Sequence, residues 1–225
     1  MSSLIGLRRT LTWDDFKGSP PPGSKFSAQT ASDFVVSNPT FQNVAGGKVQ
    51  RVDQLIVTVV FDKNSSWKIP MNNWSLQQQQ DLLDHEQGHY DITALIARDL
   101  FIRLMAGKNK VYNDTAEGVE DIESWKRIYK ANENKAQVQY DDVTMNSQLN
   151  TFLPSVGPPP TKGSTQDKWE RVIASGFTTV RPSGDTAPDG TPYKVSLWTY
   201  LSRQGCSSSR SCPGEIAAQL RTGLW

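Results

Sequence analysis

The chain holds two histidines, and both fall within five residues, His85-Glu86-Gln87-Gly88-His89. On an α-helix, side chains at i and i+4 are neighbours, so both imidazoles can reach one ion at the Zn–N distance of about 2.0–2.1 Å. Glu86 then stands where it can accept a proton from a metal-activated water and pass it to a leaving amine. Zinc brings the pKa of such a water toward neutrality, so no activated serine or cysteine is required. By chance the H-E-x-x-H pattern would recur in roughly one chain in a few hundred. Chance scatter does not usually put a chain's entire histidine content at ligand spacing.

A catalytic zinc site takes a third protein donor. With no further histidine, that donor must be a carboxylate. The metzincin extension is excluded, because Ile92 and Leu95 occupy the positions of its glycine and histidine.

The pattern carries chemistry only inside a helix, and the flanking sequence supplies one. Ser75 with Gln78 forms a capping box, helix formers continue to Met105, and Gly107-Lys108 ends the run. Leu82, Leu83, Ile92, Leu95, Ile96, Leu100 and Leu104 recur at mostly three- and four-residue steps, so one side is expected to pack inward beside the histidine stripe. A second long helix is expected from Asp114 or Thr115 past Tyr140, with Val119, Ile122, Trp125, Tyr129, Ala136, Tyr140 and Val143 on its apolar face.

Upstream, residues 34–37, 49–51 and 54–62 read as strands between Gly-, Pro- and Asn-rich turns. They predict a small sheet, antiparallel or mixed, whose most apolar strand, 54–61, lies deepest and nearest the first helix. Trp13 and Trp67 are expected as core anchors. Downstream, a Pro/Gly-rich linker over 154–163 leads into a C-terminal appendage, 164–225, with a late helix at 215–220; it is a candidate to cover or gate the cleft, to bind a partner or to direct delivery of the catalytic part, and its residues do not choose among these. The organisation expected is thus a domain over 1–153, the linker, and a module over 164–225.

Composition narrows the partners. With 24 basic and 23 acidic residues and no long run of either sign, the chain shows no footprint for nucleic acid or an anionic membrane. Its longest apolar run, 55–61, is far too short to span a bilayer, and residues 1–12 lack the apolar stretch of a signal peptide; the compartment is left open. Cys206 and Cys212 flank a Ser-rich loop that suits either a small disulfide ring or two thiols. Their spacing, with no histidine nearby, does not suit a structural zinc site.

Three segments together carry a family resemblance: Leu11-Thr12-Trp13-Asp14-Asp15-Phe16-Lys17-Gly18, Ser66-Trp67, and Leu83-Asp84-His85-Glu86-Gln87-Gly88-His89-Tyr90-Asp91-Ile92. The chain resembles, over about residues 10–150, an uncharacterised bacterial family described as zinc-dependent proteases, whose members share an L-T-W-x-D-F opening and an H-E-Q-x-H-[FY]-D helix. The resemblance implies a zincin-like α+β fold, with the small sheet packed on the H-E-x-x-H helix and the second long helix. It also implies a Zn2+ cofactor and a peptide or protein substrate. The family's downstream Y-D-x-x-T-x-H segment matches Tyr140-Asp141-Asp142-Val143-Thr144-Met145-Asn146, where Asn146 replaces the histidine. Asp141 is the expected third ligand, completing a His85, His89, Asp141 set beside Glu86 as general base. Glu133, Asp142 and Glu120 are the alternative carboxylates.

Tyr140 is a candidate donor to an oxyanion, although its spacing also fits a core aromatic. Asp81 and Asp91 are candidates for orienting the histidines. A sheet edge beside the site would bind an extended peptide by strand addition. The rival expectation is a zincin-fold binding protein that has lost turnover, for which Asn146 argues; the presence of Glu86 argues against it.

Overall fold

Ser75 opens the element that carries both histidines. Its hydroxyl accepts the Gln78 N–H at 3.2 Å, while the Gln78 side chain accepts the Ser75 N–H at 2.7 Å, which satisfies two donors that a helix start would leave bare. The resulting helix, α1 (Leu76–Ala106), runs 31 residues. It ends where the Gly107 N–H bonds to the Arg103 and Leu104 carbonyls and the buried Arg51 guanidinium donates to Leu104 O. A cation at this end complements the helix dipole.

The computed structural model describes residues 2–37, 39–52 and 54–143, together with residues 166, 169, 170, 173, 174 and 177. The fold is mixed α+β. Its strands are β1 (Ser3–Ile5), β2 (Ala28–Gln29), β3 (Ser32–Ser37), β4 (Thr40–Val44), β5 (Lys48–Val52), β6 (Ile56–Phe61), β7 (Trp67–Lys68) and β8 (Val111–Tyr112); the second long helix is α2 (Thr115–Val143). Where one sheet was expected, three small ones form, in the orders β1-β6-β3, β2-β7 and β4-β5-β8. The first is mixed, β6 running parallel to β1 and antiparallel to β3. Within β6 the buried residues are Val57 and Val59, the period of two that a half-buried strand needs. They face α1 in one core cluster with Phe34, Leu95 and Leu100, so the most apolar strand does lie against the helix.

α1 departs from the single inward stripe expected of it. Every residue from Ile92 to Leu100 is buried, including Thr93, Arg98 and Asp99. The cause is a second covering layer: α1 meets β6 and β3 on one side and α2 on the other, and a helix enclosed in this way has no wet face to pattern. The two helices run antiparallel. His85 meets Asp141, His89 meets Gln137 and Thr93 meets Glu133, so each step of four along α1 is matched by a step of four back along α2.

The opening motif has a definite task. The Gln87 amide accepts the Leu11 N–H at 2.8 Å and donates to Arg9 O at 2.9 Å, tying the N-terminal segment to α1. Leu11 and Phe16 are buried in the main cluster and Trp13 packs against it; Trp67 is buried too, its indole N–H on Gln29 Oε1 at 2.9 Å.

Asp15 fixes the turn Trp13–Asp15 by accepting the Thr12 N–H, and its carboxylate also meets Arg9 and Lys63, each at 2.8 Å. Burial works to raise its pKa, but the bonds from Lys63, Thr12 and Arg9, with the charge of Arg9, hold it well below the usual carboxylate range. A depressed carboxylate stabilises the fold above the unfolded-state value of about 3.9 and loses that contribution as pH falls through the folded value. Asp15→Asn is therefore expected to cost about 1–2 kcal/mol at pH 7, the gap to wild type narrowing below about pH 4. Urea unfolding of both proteins at pH 7 and pH 3 measures it, and a gap independent of pH would contradict the assignment.

The late helix at 215–220, Cys206, Cys212, Asn146 and the linker 154–163 lie outside the described residues. Of the appendage, Trp169, Ile173 and Phe177 are described as buried in the same cluster as α1 and β6. No described helix is long and apolar enough to cross a membrane.

Candidate metal centre

α1 delivers His85 and His89 on one face, and α2 brings Asp141 against them. His85 Nε2 and His89 Nε2 are 3.2 Å apart. Asp141 Oδ1 lies 2.9 Å from His89 Nε2 and 3.4 Å from His85 Nε2. Three donors on a tetrahedral zinc at 2.0–2.1 Å are separated by about 3.3 Å, so this triangle has the size of one tetrahedral face. Among the described residues it is the one group of three or more His, Cys, Asp or Glu that could hold an ion.

The chemistry of the donors fits as well as their spacing. Asp141 Oδ1 is buried and, among the described residues, takes no hydrogen bond from any group outside the triangle. His89 Nδ1 is 2.6 Å from Gln137 Oε1, and His85 Nδ1 is 3.5 Å from Gln166 Oε1. An amide oxygen can only accept, so each Nδ1 carries the proton and each Nε2 turns a lone pair toward the centre. Converging lone pairs need a positive charge between them. A proton supplies it in part: burial works to lower the pKa of His89, but the bond and charge of Asp141, with Glu86 and Gln137, raise it to about 9. The Asp141 carboxyl, opposed by burial but facing both imidazoles, lies well below its ordinary range. A divalent cation competes with that proton for the same lone pairs.

One side of the centre is open. The Asp141 side chain is 35% exposed, against 2% for His85, and all three donors line a cleft of about 380 Å³ with Glu86 beside them. Glu86 is buried, and its Oε2 has no hydrogen-bond partner among the described residues. The Glu86 carbonyl accepts the Thr30 hydroxyl at 3.1 Å, which links this turn of α1 to the strand segment forming the opposite wall.

The other expected residues fall elsewhere. Tyr140 is fully buried, its ring stacked on His85 at 4.8 Å and its hydroxyl donating to His85 O at 3.2 Å. It therefore supports His85 from behind rather than facing the cleft as an oxyanion donor. Burial also pushes its pKa well above the ordinary value. Glu133 lies outside the donor triangle; Thr93 donates to its Oε1 at 2.7 Å and Lys130 meets its Oε2 at 2.6 Å. Glu120 is exposed and paired with Arg127, and the Asp142 side chain lies outside the described residues. Asp81 and Asp91 accept from Gln77 and Gln87, while the imidazole Nδ1 atoms are met by glutamines instead. Burial raises Asp91 to about 6.

Sequence reasoning missed those glutamines. Gln137 stands one helical turn before Asp141, so the stripe holding that candidate ligand could have disclosed it. Gln166 carries no such signal.

An α+β chain whose paired long helices present two histidines, one aspartate and an adjacent glutamate to an open cleft defines a candidate mononuclear metal centre. No family model matches the chain, and no curated protein and no solved structure matches it.

Proposed function

We propose that the protein is a zinc-dependent hydrolase of zincin type, acting on peptide bonds. The observation that carries this reading is the convergence of two imidazole nitrogens and a buried carboxylate oxygen, within 3.4 Å of one another, beside a buried glutamate that is not one of the donors. His85, His89 and Asp141 would hold the ion. Bound there, zinc acts as a Lewis acid that polarises a carbonyl and activates water near neutral pH.

The chain's own residues supply the rest. Gln137 and Gln166 orient the imidazoles, and Tyr140 backs His85. Glu86, adjacent to the donors, takes a proton from the attacking water and returns it to the leaving amine. A structural metal site would not call for such a glutamate.

Peptide hydrolysis is favoured by the walls of the cleft. One wall is the extended segment over 26–32, containing β2, which pairs with β7 on one edge and with no other strand among the described residues. The facing wall is the stripe Lys130, Glu133, Gln137 and Asp141 of α2, about 16 Å long at 1.5 Å per residue. That length accommodates about five residues of extended chain, and a free strand edge offers them main-chain hydrogen bonds.

Elemental analysis of purified protein tests the metal centre. One zinc per chain is expected in wild type, lost in His89→Ala and Asp141→Ala and retained in Glu133→Ala. Wild-type protein prepared without chelator that holds no zinc, and takes up none when zinc is added, would overturn the reading.

A further inference from the structure

The metal centre draws on residues from three parts of the chain, and the third lies beyond both helices. Gln166 is 1% exposed. Its amide nitrogen donates to the Tyr140 hydroxyl at 2.7 Å and to Glu170 Oε1 at 3.0 Å. Two acceptors on the nitrogen fix the rotation of the amide, and the atom left facing His85 Nδ1, 3.5 Å away, is the oxygen. That separation is at the long end for a hydrogen bond; the short contact to Tyr140 is what holds the amide in place.

The position is not incidental to the packing around it. Residues 166, 169, 170, 173 and 177 have helical backbone and recur at steps of three and four, so they share one face. Trp169, Ile173 and Phe177 on that face are 3%, 4% and 3% exposed and belong to the main core cluster. Trp169 meets the Tyr140 ring edge-on at 5.3 Å, and the Arg8 guanidinium lies over Phe177 at 4.1 Å. A primary amide buried here without partners would be costly, yet every group it meets belongs to the support of one histidine or to its own helical face. The arrangement parallels that of His89, whose Nδ1 faces the amide oxygen of Gln137. Each imidazole thus has one glutamine that commits Nδ1 to donation and turns Nε2 toward the centre.

We propose that Gln166 is the positioning residue for His85, so that the helical face carrying Gln166, Trp169, Ile173 and Phe177 completes the metal centre and its docking is coupled to metal binding. This rests on the reading of His85, His89 and Asp141 as zinc ligands. Anything that loosens the face carrying Trp169 from Tyr140 would weaken zinc binding, and by reciprocity zinc would hold that face in place.

The test compares full-length wild type, Gln166→Leu and Gln166→Glu. Zinc affinity is read by competition with a chelator, and the His85 ring nitrogens by 15N NMR of the zinc-free proteins; with two histidines in the chain, His89→Ala assigns the signals. Gln166→Leu is expected to bind zinc 10–100-fold more weakly and to shift His85 from the Nδ1–H toward the Nε2–H tautomer. Gln166→Glu keeps an acceptor toward His85 Nδ1 but loses the N–H donors to Tyr140 and Glu170, so it is expected to retain the Nδ1–H tautomer while binding zinc more weakly than wild type. Loss of the Nδ1–H tautomer to the same extent in the two variants would reduce the role of Gln166 to packing and overturn the proposal, as would wild-type affinity and tautomer in Gln166→Leu. If wild type itself takes up no zinc, the metal reading fails, and the tautomer comparison still decides whether Gln166 positions His85.

Discussion

Replacing Glu86 with glutamine is expected to lower peptide hydrolysis by about 10²–10⁴-fold while leaving one zinc per chain. The two readouts separate because Glu86 lies beside the donor triangle and is not part of it. Glutamine has nearly the same shape, so packing at this buried position is retained, but an amide cannot accept and return the proton. The assay uses an unfolded protein such as casein, with products identified by mass spectrometry and zinc measured on the same preparation. Zinc lost together with activity would make Glu86 a ligand. Wild-type protein that carries zinc but cleaves nothing, with binding properties unchanged by Glu86→Gln, would favour a binding protein that has kept the fold without turnover.

Gly88→Ala should be the most damaging of the small substitutions. In an ordinary helix interior this change is stabilising by about 0.5–1 kcal/mol, because alanine has the better helix propensity. Here a Cβ would overlap the Tyr140 hydroxyl and lie 2.6 Å from Cζ of that ring. The ring cannot retreat, since His85 stacks on it at 4.8 Å and Trp169 closes on it at 5.3 Å. Overpacking of this kind costs about 1–3 kcal/mol. Because Tyr140 is adjacent to Asp141 and supports His85, the displacement is expected to weaken zinc binding as well. Urea unfolding and chelator competition measure the two effects. A Gly88→Ala protein as stable as wild type, with zinc affinity intact, would show that the contact between the helices is looser than described.

Both effects bear on what the sequence disclosed. The α1 boundaries were legible because Ser75, Gln78 and Gly107 act locally, through caps that depend on neighbours a few residues away. β3, β5 and β6 were legible for a similar reason, their apolar and β-branched runs being long enough to declare a strand. β1 and β8, of three and two residues, are too short to show a period and exist only because β6 and β5 offer them an edge. The division into three sheets is likewise a matter of tertiary pairing.

The site follows the same rule. The spacing of His85 and His89 is a helical property and can be read directly, as can the position of Glu86. The side of the cleft that Tyr140 would face depends on the rotation of α2 against α1. That rotation is governed by the close approach at Gly88, which reads in sequence as an unremarkable spacer within the motif. The partners of the imidazole Nδ1 atoms depend on long-range packing, and for Gln166 on a contact 81 residues away in sequence.

The antiparallel pairing of α1 and α2 gives the proposed ion a mechanical part as well as a chemical one. Two donors belong to one helix and the third to the other, so an ion held by all three is a reversible cross-link between elements whose nearest ligands, His89 and Asp141, are about fifty residues apart in the chain. Closing a loop of that size removes conformational freedom from the unfolded chain much as a disulfide does. Unlike a disulfide, this link tightens with the supply of free metal, each tenfold excess over the dissociation constant adding about 1.4 kcal/mol to stability. The resistance of the folded chain to unfolding would then report the zinc level of its surroundings.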